Sequence, residues 1–544
     1  LELTLKENDS MSYVGLIVTV IISLFFVFNN LGWEFVSGHA AYWNIQDNDI
    51  TQHLSGLNFY LSSPWQFPLL AFDSLNYPQG TRVTFVDGIP IFAFLLKVFL
   101  RSNIGYINPM GYWITLSFIL QGVAGWWISR ELKVKSWIFL ICIVLTFLSY
   151  PVFINRIGHV ALMSHWVILF AIALYLHGNR LQRVAVAGWI CLIFCAFYIH
   201  IYLFVMALGI YMAAVLNIRH KLTWRYSFSV CLPLIILGLS WFVFLLPLPL
   251  APVQIPQDID HFATNILSPF HGEKLRLFNF DNSHSPMGFN NIGLGVIVIF
   301  VWCLFSRPLE NLKMCKQHWA LFTIMLCFFV FSLSSKIYFG GHLVASFTYP
   351  EILKPIVYQI RACGRFFWPV GYTIVVFSLY TLYLQLKSKK VFFLVIMCAF
   401  LLTQYFDISG DYDNLRQARD RNPVMVFQDF TSLDKILGSD IKYLYLYPKY
   451  DCSGRKDHNF HFITPMMQYA AMHQLKLNTG FVSRYGSNCP NTHEEIAESD
   501  HGKSAYIFSK DDFPDIQEVL GLMGDAKAVN CNELESVYIC KFKQ

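Results

Sequence analysis

Apolar residues run along this chain in long blocks, not at the two-residue or 3.6-residue spacing of a half-buried strand or a surface helix. Blocks at 12–28, 111–128, 136–150, 161–176, 184–198, 201–217, 227–246, 291–305, 319–334, 366–386 and 391–405 predict about eleven membrane-spanning helices. A backbone that crosses lipid must satisfy its own hydrogen bonds, and it needs roughly 17 to 25 apolar residues to do so. The first block has no small-residue cleavage pattern behind it and reads as an anchor rather than a removable leader. A further block at 89–100 is short for a crossing and carries Lys97.

The basic residues decide how that short block is read. If it does not cross, five clusters share the cytoplasmic side: Arg130, Lys133 and Lys135; Arg180 and Arg183; Arg219, Lys221 and Arg225; Arg307, Lys313 and Lys316; and Lys387, Lys389 and Lys390. A crossing there would send all five outside, so 89–100 reads as a re-entrant or interfacial helix. The N-terminus is then cytoplasmic, and the external side receives 29–110, 151–160, 247–290, 335–365 and everything after about 406. This divides the chain into a membrane domain, 1–406, with a long first external loop, 29–110, and an extracytoplasmic domain, 407–544.

Composition sharpens the class. Of 544 residues, 55% are hydrophobic and 14% charged, against about 25% charged in soluble domains, which excludes an ordinary soluble protein. The net charge of +5 sits largely in short loops, where it writes orientation and not nucleic-acid binding. The tail is more polar. Strand-like runs at 443–447, 505–508 and 536–542 and a helix-like run at 465–474 predict a small α/β domain. It holds Cys452, Cys489, Cys531 and Cys540, an even set suited to disulfides outside the cytoplasm, with Cys531–Cys540 a candidate hairpin clip and free thiols the alternative. No Walker or Rossmann glycine pattern, metal-ligand set or CxxC pair is visible, so no cofactor is expected and an activated substrate must arrive by another route.

The first external loop carries the densest chemistry, with Asp47, Asp49, Gln52 and His53 just beyond the first block. Asp49 and His53 are four apart and share a helix face, whereas Asp47 diverges. One carboxylate there suits a general base that takes a proton from an attacking hydroxyl; capping a short helix is the alternative for Asp49. Asp87 either binds a sugar hydroxyl, supports the base or caps the 89–100 helix. Tyr77-Pro-Gln-Gly80 is a turn signal. Cationic candidates at the external boundary are Arg156, His159 and His165 around one short loop, and Arg361 and Arg365 before another block. Arginine's planar fork suits phosphate; interfacial snorkelling, or structural burial for the histidines, is the alternative. The segments 265–269 and 288–295 are candidates to line an acceptor groove.

The chain resembles the C-type glycosyltransferase superfamily (GT-C). It is similar to bacterial membrane proteins carrying the series Asp49-Ile-Thr-Gln-His53, Tyr77-Pro-Gln-Gly80, Asp87-Gly-Ile-Pro90, Gly158-His-Val-Ala-Leu-Met-Ser-His-Trp166 and Arg361-Ala-Cys-Gly-Arg-Phe-Phe-Trp-Pro369. In architecture it is also similar to the serotype-converting O-antigen glucosyltransferases. The resemblance implies an inverting transferase in a bacterial inner membrane, with a polyprenyl-phosphate sugar as donor, a lipid-linked polysaccharide as acceptor and Asp49, rather than Asp47, as base. The competing reading is a transporter or flippase of lipid-linked saccharide, for which ionisable groups deep in the membrane are the expected sign.

Overall fold

The computed structural model describes residues 2–46, 48–100, 105–218, 224–248, 259–271, 288–420, 422, 425–455, 457–483, 489, 492–524 and 527–543. Asp47, Arg219 and Lys221 lie outside the described residues, as does the stretch 272–287. The chain forms two compact units. One comprises 1–36, 111–237 and 255–419; the other comprises 37–110, 238–254 and 420–544.

The first unit is helical, and helices form at all the apolar blocks it contains. Length and composition separate them. Tyr13–Asn30, Trp137–Ile154, Val160–Leu181, Tyr226–Phe244, Cys363–Leu386 and Lys390–Asp407 are long and apolar enough to cross a membrane. Leu294–Ser306 and Pro308–Gln317 add a seventh span if this pair, bent by 99°, is one crossing. The expected count of eleven is therefore corrected to six or seven. Val186–Ile199 and Trp319–Ser332 have 14 residues each, about 21 Å of helix against a hydrocarbon core of about 30 Å. His200 breaks the apolar run between two such helices: its backbone is extended, and its side chain accepts the Tyr202 N–H at 3.2 Å as the cap of Ile201–Asn217. Met110–Glu131 is long enough at 22 residues, but Gln121, Gly122, Gly125 and its terminal Arg130-Glu131 dilute its apolar character.

Packing inside this unit relies on close approach. A Cβ at Gly371 would lie 2.0 Å from the Tyr150 hydroxyl, so only glycine lets this tyrosine reach the Cys363–Leu386 helix. The N-terminus of Leu294–Ser306 is capped from another helix: Leu294 N–H donates to Asp407 Oδ2 at 2.8 Å, and Val296 N–H to Gln404 Oε1 at 3.2 Å. Donors that a helix start leaves unpaired are satisfied there by buried side chains.

The second unit joins the first loop to the tail. Its five-stranded sheet consists of Tyr443–Tyr447 (β1), Lys476–Leu477 (β2), Ser504–Ser509 (β3), Val529–Leu534 (β4) and Val537–Phe542 (β5), in spatial order β2-β1-β3-β5-β4. β1 is parallel to β2 and β3, while β5 is antiparallel to β3 and β4. Alternating Tyr445, Tyr447, Tyr506 and Phe508 build one buried face. The edge at β2 is closed by the first loop, with Leu477 N–H donating to Ser74 O at 2.8 Å and Tyr77 N–H to Leu477 O at 2.9 Å, so the ladder does not end in open donors. Disulfides join Cys452 to Cys489, and Cys531 to Cys540 across the β4–β5 pair.

Asp49–Ser62 packs on Thr464–Met472 from the tail. Gln46 pins the approach: its Nε2 donates to Gln468 Oε1 at 3.1 Å, its Oε1 accepts the Val426 and Phe427 N–H groups, and its carbonyl accepts Thr464 Oγ1. Lys476 meets Asp73 at 2.6 Å. The chain-order boundary at 406/407 therefore does not follow the compact units, because 37–110 folds with the tail. The helix at 89–100 is Pro90–Phe99, only ten residues or about 15 Å. Lys97 tucks inward, donating to Tyr60 O at 2.7 Å with its ammonium over the Tyr60 and Trp65 rings.

Candidate functional site

Asn48 caps the Asp49–Ser62 helix, its side chain accepting the Ile50 N–H at 2.9 Å. Asp49 is the first helical residue. The capping role weighed for Asp49 therefore belongs to its neighbour, and the carboxylate sits one turn before His53 on the same face. His53 is 4% exposed at its side chain, and its Nε2 lies 3.7 Å from Asp87 Oδ2, whose side chain is 38% exposed. Asp87 adopts a left-handed backbone with φ 50° at the end of the short helix Val83–Val86. Only a few per cent of non-glycine residues do this, aspartate among the more tolerant. The expected alternative for Asp87, a cap on Pro90–Phe99, is corrected: Ile89 holds that position and makes no side-chain cap bond. Two separate motifs thus converge on one place. Gln52 is spent on structure, with Nε2 donating to Phe481 O at 2.8 Å.

The first unit holds a second cluster. His165 is fully buried in the span Val160–Leu181, with Nδ1 2.9 Å from the Tyr372 hydroxyl, which also accepts Gln121 Nε2 at 2.7 Å. The imidazole stacks on Trp368 at 4.2 Å between ring centres. Arg156 lies over the same Trp368 at 5.7 Å, and Arg365 over Tyr202 at 4.8 Å. Burial, and then the like charge of Arg365, push the Arg156 guanidinium down to about 10. Its Nε is buried with no hydrogen-bond partner among the described residues. An arginine held beside another cation with a donor unspent is poised to gain from an anion. Arg361 faces elsewhere, over Phe262 at 5.5 Å. His159 ends the turn before the short helix Val160–Met163. Of the five cationic candidates, Arg156, His165 and Arg365 group by interaction.

Residues 20–409 match the family described as Domain of unknown function (DUF6311), and residues 432–542 match the DUF6311 C-terminal domain. The chain belongs to the DUF6311 family. No curated protein matches it. In this DUF6311 chain, Asp49, His53, Asp87, Arg156, His165 and Arg365 all fall in the first matched region, and both disulfides fall in the second.

The sequence reading missed the residues that hold the first loop in place. Gln46, Thr464 and Gln468 are buried, and Gln46 bonds to both of the others, yet it lies more than 400 positions from them and no local spacing links it to them. The segments 265–269 and 288–295 prove largely buried. Asn290 Nδ2 donates to Gly364 O at 3.0 Å and Thr264 Oγ1 at 2.7 Å, bracing the turn that carries Arg365. The described part of these segments is packing and not an open groove, which corrects that expectation.

Proposed function

We propose that this DUF6311 chain is an inverting membrane glycosyltransferase of GT-C type. It takes a sugar, proposed to be glucose, from a polyprenyl-phosphate donor and transfers it to a lipid-linked O-antigen or other surface polysaccharide on the periplasmic face of a bacterial inner membrane. The observation that carries this reading is the approach of Asp87 to His53, with Asp49 one helical turn before His53 and Asn48 relieving it of the cap. Asp49 accepts the proton of the acceptor hydroxyl as its oxygen bonds to the anomeric carbon. The carbon–oxygen bond to phosphate breaks on the opposite face, and polyprenyl phosphate leaves with the electron pair. His53, held near Asp87, is a positioning residue for the acceptor. The first unit's own pair, Arg156 and Arg365, is on this reading where the phosphate of the donor binds, the anion that a partly unspent guanidinium suits. Two disulfides in the tail support an oxidising compartment.

His165 buried within a candidate span also favours the transport reading. Mass spectrometry of surface polysaccharide from cells with and without the protein separates the two. A transferase adds or omits a specific sugar, whereas a transporter changes the amount of polymer and leaves its composition intact; the second outcome would overturn the proposal.

A further inference from the structure

The second unit contains a cavity of about 430 Å³, lined by Asn76, Tyr77, Pro78 and Gln79 of the first loop together with tail residues including Tyr443, Tyr445 and Glu495. This size falls in the range of roughly 300–1,000 Å³ usual for small-ligand sites. Its chemistry is acidic and aromatic. Among the described residues, Glu494, Glu495, Glu498 and Asp500 line it with one cation, Lys449. Glu495 is fixed: its Oε2 accepts Tyr447 Oη and Lys449 Nζ, each at 2.8 Å, and Asn478 Nδ2 at 3.3 Å. Glu494 and Glu498 are exposed and four apart on the helix Thr492–Glu498, so they share a face.

Tyr445 gives the independent sign of a ligand. It is 5% exposed and stacks on Tyr506, yet it lines the cavity and its hydroxyl has no hydrogen-bond partner among the described residues. The ring is buried while the hydroxyl, with both a donor and an acceptor to offer, is left to whatever occupies the cavity. A sugar ring fits this lining: its hydroxyls donate to carboxylates and pair with Tyr445, and its C–H face packs on tyrosine. Four carboxylates repel a phosphate, so the donor headgroup does not belong here.

We propose that this cavity binds a neutral sugar ring of the acceptor polysaccharide, through the Tyr445 hydroxyl and the Glu494 and Glu498 carboxylates. The proposal rests on the transferase reading for the word acceptor, but not for the binding itself.

The test is saturation-transfer NMR on the full chain in lipid nanodiscs, with methyl α-glucoside as neutral probe and glucose 1-phosphate as charged probe. The neutral probe is expected to bind about tenfold more weakly to the Glu494→Gln/Glu498→Gln double variant and roughly fivefold more weakly to Tyr445→Phe, which keeps the ring. Glucose 1-phosphate is expected to respond equally in all three proteins, with melting temperatures unchanged. No binding of the neutral probe to the wild type, or equal binding to wild type and both variants, would overturn the proposal. Asp49→Asn keeps the two readings apart. Probe binding retained in that variant with unaltered transfer would sink the transferase alone; transfer lost in that variant with no probe binding in the wild type would sink the pocket alone.

Discussion

Asp49 is useful to the proposed reaction because Asn48 stands before it. The cap bond from Asn48 to Ile50 N–H fixes where the helix starts and leaves the neighbouring carboxylate on the face that also carries His53. Asn48→Ala is expected to lower thermal stability by about 1 kcal/mol, read by the melting temperature of the purified protein. Lys97 answers to pH instead. Burial pushes its ammonium down to about 8, against about 10.4 in an unfolded chain, so the unfolded state holds more protons between these values. Stability from this residue is present above the higher value and is lost as pH falls through the lower one. Lys97→Met is expected to remove that slope, so the wild-type melting temperature should rise relative to that of the variant from pH 8 to pH 10; a constant difference would contradict the assignment. The Asp49–His53 spacing was legible in the sequence, but the 3.7 Å approach of Asp87 was not, because a left-handed turn at Asp87 leaves no periodic trace.

At the scale of elements, the sequence located helices well and their reach poorly. Every apolar block in the first unit became a helix, since burial of apolar side chains and internal backbone bonding select it. Whether a block is broken depends on single residues such as His200, or on a bend such as the 99° turn before Pro308, which composition does not reveal. In the tail, Tyr443–Tyr447 was readable from its alternation, whereas Val529–Leu534 was not: only Val529 is buried, and the strand exists by pairing with Val537–Phe542. Cys531 and Cys540 stand opposite each other in that hairpin. Replacing both by serine is expected to cost about 2–3 kcal/mol, measured by denaturant unfolding of the oxidised protein against the double variant. No change under oxidising conditions would show that the hairpin holds itself.

At the scale of the whole molecule, bonds such as Gln46–Gln468 and Lys476–Asp73 require the first loop and the tail to share one side of the membrane. An even number of crossings must then separate Met110 from Leu245, since Val243 and Phe244 beside it accept the Leu69 and Leu70 N–H groups of the first loop. Three helices in that interval are long and apolar enough on their own: Trp137–Ile154, Val160–Leu181 and Tyr226–Phe244. On the proposed topology a fourth crossing is expected in this interval, and Met110–Glu131, with 22 residues or about 33 Å, has the length to supply it. Cysteines introduced at Gln79 and Glu518 are expected to react with an impermeant thiol reagent from outside intact spheroplasts, and one at Lys133 only after lysis. Labelling of Gln79 and Glu518 from opposite sides would break the account.

The claim on which the rest turns is that Asp49 removes a proton during sugar transfer. Its most direct measurement follows transfer from a radiolabelled polyprenyl-phosphate sugar to endogenous lipid-linked polysaccharide in membranes, comparing wild type with Asp49→Asn at matched expression. A general base contributes about 10²–10⁴ in rate, so transfer in the variant is expected to fall by at least about a hundredfold. Transfer at the wild-type rate would contradict the account.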